Sequence, residues 1–204
     1  MEHCEIDADV SDKVRGEIEK RGFTIEVCHS NSELSPLRHS DFVIVGGGGH
    51  GGIASVANAN IPSEHHGSKI EDAVRYYAKE HNIDQNDMLW WTIHTHRHSN
   101  LSLDTRIFKD TYVFEVGIGG FIYMSKKTVR EDYGVQRISK KIESMVEENA
   151  RSSLKTLAQW INGDVYHLSI KDADDEIVEG MDGVYIDDDG TFDSSVIELL
   201  EFCP

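Results

Sequence analysis

Cysteine, basic charge and long apolar runs are all scarce in this chain of 204 residues, and each scarcity removes a class of protein. Cys4, Cys28 and Cys203 are scattered and show no C-x-x-C spacing, so they suggest neither a disulfide framework nor a thiolate zinc site. A reducing compartment is the simpler setting. No stretch approaches the ~20 apolar residues of a membrane span, and "MEHCEIDADV" lacks the basic start and apolar centre of a signal peptide. The expectation is therefore no membrane, with the cytoplasm as location, or the virion if the source is viral. Twenty Lys and Arg face 37 Asp and Glu, for a formal net charge of −17. That balance opposes a phosphate-binding surface and speaks against nucleic acid as a partner.

What the chain does contain is an alternation of helix and strand periods. "SDKVRGEIEKRG" reads as a helix capped by Ser11, with Val14 and Ile18 on one face and Gly22 as its stop. "FTIEVC" and "DFVIVG" read as strands, and "GIASVANANIP" as a third strand candidate. Ile70, Val74, Tyr77 and Ala78 share a helical face in "IEDAVRYYAKEHNI", and the apolar strand "MLWWTIH" follows. "TYVFEVGIGGFIYMSKK" suggests two β runs split by glycines, and residues 133–162 a long amphipathic helix. In the tail, "VYHLSI", "GVYIDDDGTF" and "SVIELLEF" suggest short strands around an Asp-Gly turn. These elements predict an α+β fold, a mixed β-sheet flanked by the first helix and the long one. The boundaries expected are a domain of residues 1–163 and an acidic, β-rich C-terminal extension of residues 164–204.

Chemistry concentrates in "MLWWTIHTHRHSNLSLDT", where the apolar strand ends in His94, His96 and His98, with Ser102 and Asp104 close behind. In an extended segment His94 and His96 face the same side while Thr95 faces away. Two imidazoles and a carboxylate are a common catalytic zinc set, and a loop can return Asp104 to them. A strand end that merely exposes histidines is the plain alternative.

An apolar strand running into H-T-H, then a serine and an aspartate, resembles the metalloprotease motif of the JAMM family, also called MPN or JAB domains. The order of elements over roughly residues 10–162 resembles that family too. The resemblance implies a cytidine deaminase-like α+β fold, zinc held by His94, His96 and Asp104, Ser102 as oxyanion donor, and an acid that moves the proton of a zinc-bound water. The implied activity is hydrolysis of a peptide or isopeptide bond in a protein substrate, often one with a ubiquitin-like tail. The family's acid is a glutamate heading an apolar strand, and Asp41 stands there in "DFVIVGGG". Glu26 and Glu33 are nearby substitutes. The chain departs from the pattern at Arg97, where the family has proline, and in its Ser-x-Asp spacing, with Asp110 as a second aspartate. The alternative implied by these departures is a non-catalytic MPN-like module, a subunit of a larger complex or a component of a virus particle.

The remaining conspicuous stretches read as structural. "GGGGHGG", residues 46–52, lacks the Lys-Ser/Thr of a phosphate loop and reads as a turn; His65 and His66 read as part of a turn before a helix. The tail aspartates do not continue to the glutamate of a calcium loop. Trp90 and Trp91 are expected to divide between the core and a covered face of their strand.

Overall fold

The structure is a computed structural model and describes residues 10–30, 35–47, 53–62, 69–109 and 115–203. Its elements are helices and strands in two compact units, one formed by Met1–Leu34 with Gly163–Pro204 and the other by Ser35–Asn162. The first helix and first strand, expected in a domain of residues 1–163, therefore group with the tail. Hydrogen bonding gives the reason: β1 (Thr24–His29) pairs antiparallel with β7 (Tyr166–Lys171), which pairs in turn with β8 (Ile177–Val184). Among the described residues no helix is long and apolar enough to cross a membrane.

In the first unit α1 (Asp12–Lys20) begins at Ser11, whose Oγ accepts from the Val14 amide, as its capping role predicts. Gly22 stops it with a φ of 78°. Val14 and Ile18 join Val27, Leu168 and Ile170 in the core of this unit. The last element, α5 (Asp193–Phe202), corrects the strand expected for "SVIELLEF". Val196, Leu199 and Leu200 are buried at helical spacing, and a short apolar run of this kind reads equally as strand or helix until its neighbours are known. Asp193 receives both the amide and the hydroxyl of Ser11, so the starts of α1 and α5 are tied together.

The second unit is built on a five-stranded mixed sheet. Its strands are β2 (Val43–Gly46), β3 (Ala59–Asn60), β4 (Met88–Arg97), β5 (Leu101–Asp104) and β6 (Val116–Ser125), in the order β3-β2-β6-β4-β5. Among the described residues the β2–β3 pair is parallel and the other pairs of this sheet are antiparallel. The third strand candidate reduces to the two residues of β3, and the β pair expected after the histidines is one strand, β6, over the described residues. β6 runs straight into α3 (Lys126–Asp132), which Ser125 caps by accepting from the Thr128 amide. The long helix, α4 (Lys140–Asn162), starts later than residue 133 because Gly134, with a φ of 61°, lies between α3 and α4.

Strand alternation sorts the two faces of the sheet. Leu89, Ile93, Leu101, Leu103 and Ile122 pack with Val146, Ala150, Leu154 and Leu157, four positions on one face of α4. Met88, Val45, Phe121 and Tyr123 on the other face pack with Ala73, Val74, Tyr77 and Ala78 of α2 (Ile70–Glu80). Trp91 packs partly buried against the α4 core and Trp90 against the α2 core, so each of the two faces is a core face. The helices flanking this sheet are thus α2 and α4, and α1 belongs to the other unit.

Candidate functional site

The H-x-H segment is the C-terminal end of β4, on the sheet as its apolar lead-in predicts. Antiparallel pairing with β5 sets His94 opposite Asp104 and His96 opposite Ser102. Directly opposed residues of an antiparallel pair project from the same face, so these four share one side, while Thr95, Leu101 and Leu103 are buried on the other. An irregularity after Ile93 in the pairing with β6 brings Ile118 opposite His94. The register thus sets the backbones of His94, His96, Ser102 and Asp104 at directly opposed positions.

The carboxylate of Asp104 is already engaged. Arg151 of α4 places Nε 2.9 Å from Oδ1 and Nη2 2.9 Å from Oδ2, and the Arg106 amide donates to Oδ1 at 2.8 Å. Such a fork is the strongest geometry available to a carboxylate and a guanidinium. Partial burial works against ionisation of Asp104, but the hydrogen bonds from Arg151 and Arg106 outweigh it and hold the carboxyl below its usual range. Burial moves His94 the opposite way from a cation's preference, lowering its pKa, with Asp104 only partly offsetting it. His94 is therefore held toward the neutral imidazole.

His96 and His98 meet Glu115, which none of the sequence patterns singles out. His96 Nε2 lies 3.3 Å from Glu115 Oε2, and His98 Nδ1 lies 2.8 Å from Oε1. The Arg97 amide donates to the Glu115 carbonyl at 2.8 Å and so fixes Glu115 beside the strand end. The His96 ring also lies 5.5 Å from the ring of Phe108. The hydrogen bond to His98, with that to His96, lowers the Glu115 pKa against a desolvation that would raise it. No sequence signal marks it: Glu115 stands just before β6, level with Arg97, where strand alternation would turn it away from His96, and its carboxylate reaches both histidines from that turn.

Asp41 lies elsewhere. It precedes β2, where Val43 pairs with Tyr123 and Tyr123 with Trp90, so Asp41 is level with the start of β4. At the rise of a strand, His94 is six residues further along, roughly 20 Å away. The structure does not bring Asp41 to the histidines; it lines a cleft with Phe42 and Tyr133 instead. Of the substitutes, Glu26 is on β1 in the other unit and pairs with Lys171 at 3.1 Å. Glu33 and Asp110 lie outside the described residues, as do His65, His66 and all of the glycine stretch beyond Gly47.

No protein-family model, curated protein or solved structure matches the chain. The fit to zinc therefore rests on the donor set alone. Among the described residues no three His, Cys, Asp or Glu side chains are placed to hold a metal ion. His94 and His96 offer nitrogens on one face, but the third ligand implied by the motif is committed to Arg151. As placed, the residues do not fit the zinc centre that the motif implies.

Proposed function

We propose that residues 35–162 act as a non-catalytic MPN-like module whose histidine face binds a protein partner, as a subunit of a larger complex or a component of a virus particle. The observation that carries this reading is the occupation of both Asp104 oxygens by Arg151. The separation of Asp41 from the histidines supports it. So does the apolar surface around them: Ile118, opposite His94, is 54% exposed, and Ile107, in the loop after β5, is 68% exposed. Exposed aliphatic side chains beside polar groups are the ordinary make-up of an association surface.

A zinc-dependent peptide or isopeptide hydrolase of the JAMM type is the second reading, favoured by the register that opposes His94 to Asp104 and His96 to Ser102. Metal analysis of untagged protein, together with an assay on an isopeptide-linked ubiquitin-like substrate, separates the two. The module reading expects no stoichiometric zinc and no cleavage. Near-stoichiometric zinc that is lost in His94→Ala, accompanied by cleavage, would overturn it in favour of the hydrolase.

A further inference from the structure

A cleft of the Ser35–Asn162 unit lies away from the histidines, with a volume of about 390 Å³, and Asp41 is on its wall. That size falls in the range of small-ligand sites. Its floor is apolar: Phe42 and Met124 are each 6% exposed and Val146 is fully buried. Asp41, from the entry to β2, and Asp132, from the end of α3, stand on its wall, and among the described residues none that lines it is basic. Among the described residues neither carboxylate has a hydrogen bond or an ion pair. Asn149 Nδ2 donates to the Tyr133 hydroxyl at 3.0 Å, which leaves the Asn149 carbonyl oxygen as a further acceptor in the same cleft. A smaller recess of about 110 Å³, partly walled by Pro36 and Leu37, shares Ser40 and Ser153 with it.

These features specify a ligand by its chemistry. Two carboxylates from separate elements and an amide oxygen attract a cation, and the lack of a basic lining residue leaves their charge uncompensated. An inorganic ion would meet only the carboxylates, whereas an ammonium on a methylene stem can also lie against the edges of Phe42 and Met124 while its charge meets the rim. We propose that this cleft binds an alkylammonium group, as carried by a short polyamine or by a lysine side chain. The proposal is independent of the role assigned to the histidine face.

The test is an NMR titration of the isotope-labelled full chain with 1,5-diaminopentane at physiological ionic strength, with pentan-1-ol as the neutral control. Saturable shifts are expected at Phe42, Tyr133 and Asn149 with the diamine only. Asp41→Asn and Asp132→Asn should each weaken binding by about tenfold, the size of one lost charge contact. Asp87→Asn, an exposed acid outside the cleft, and His94→Ala should bind as wild type. A parallel titration with an Nα-acetyl-lysine amide identifies the source, tighter binding than the diamine indicating a peptide lysine. Absence of saturable shifts, or equal weakening by Asp87→Asn, would overturn the proposal, the latter because it reports only general attraction to a chain of net charge −17.

Discussion

Arg151 grips Asp104 through two parallel hydrogen bonds, both 2.9 Å long, and so joins the α4 helix to β5, the last strand of the sheet among the described residues. Each side chain keeps about a quarter of its exposure, 24% and 23%, so the pair is screened less than a surface ion pair but is not sealed from water. A bidentate pair in that setting is worth about 1–2 kcal/mol of coupling. A double-mutant cycle of Asp104→Asn and Arg151→Met, followed by urea denaturation, should return that coupling. A coupling near zero would mean that the pair does not hold β5 to α4, and would also free Asp104 for the ligand role in the second reading.

The same pair sets a pH dependence with a defined sign. The carboxyl of Asp104 titrates lower in the folded chain than in the unfolded one, so its contribution is complete above the unfolded pKa of about 4 and is lost as pH falls through the folded value. Glu115 shifts in the same direction because His98 and His96 bond to its ionised form. In a His94→Ala background, which removes the coupled imidazole, the stability lost on Asp104→Asn should therefore be constant from neutral pH to about pH 5 and vanish at more acid pH. Denaturation midpoints measured across that range decide it. A loss that widens on acidification would contradict the assigned direction.

Thr95 lies between His94 and His96 but points into the opposite face, where it is 1% exposed and its hydroxyl has no hydrogen-bond partner among the described residues. A buried hydroxyl without a partner carries the cost of its lost water. Thr95→Val keeps the branched shape and replaces the hydroxyl by a methyl, so it should raise stability by about 1 kcal/mol. Thermal denaturation checks the sign. A lower melting temperature would show that the hydroxyl is satisfied by water.

The elements that sequence periodicity locates well are those long enough to complete several turns or alternations: α1, α2, most of α4, and β4 with its histidine end. Placement of His94 and His96 on one face follows from strand alternation alone. What periodicity does not carry is partnership. Nothing in "FTIEVC" says that it pairs with "VYHLSI", and that pairing is what moves β1 out of the histidine unit. Glu115 and Arg151 escape a reading of the sequence for the same reason, since each reaches its partner across the sheet or from a helix distant in sequence. Asp41 matches the family's acid only by motif order, and the register of β2 against β6 carries it to the far end of the sheet. The α+β class, with a mixed sheet flanked by helices, is present.

Two glycines give the sharpest contrast for a final prediction, because one is required by its surroundings and the other is not. Gly120 of β6 adopts a φ of 137°, and a Cβ there would lie 2.0 Å from the Val45 carbonyl oxygen, a backbone atom of the hydrogen-bonded neighbour β2. Neither the dihedral nor the neighbour can relax without opening the β2–β6 pairing. Gly120→Ala should cost at least about 3 kcal/mol, the sum of backbone strain and overpacking. Gly16 sits inside α1, and a methyl group added to its Cα would meet nothing within 4 Å. Gly16→Ala should therefore stabilise that helix by about 0.5–1 kcal/mol through reduced freedom of the unfolded chain. Denaturation of the two variants beside wild type gives both values. Equal effects at the two positions would mean that the close approach of β6 to Val45 is not present in solution, and with it would go the register that carries Ile118 to its place opposite His94.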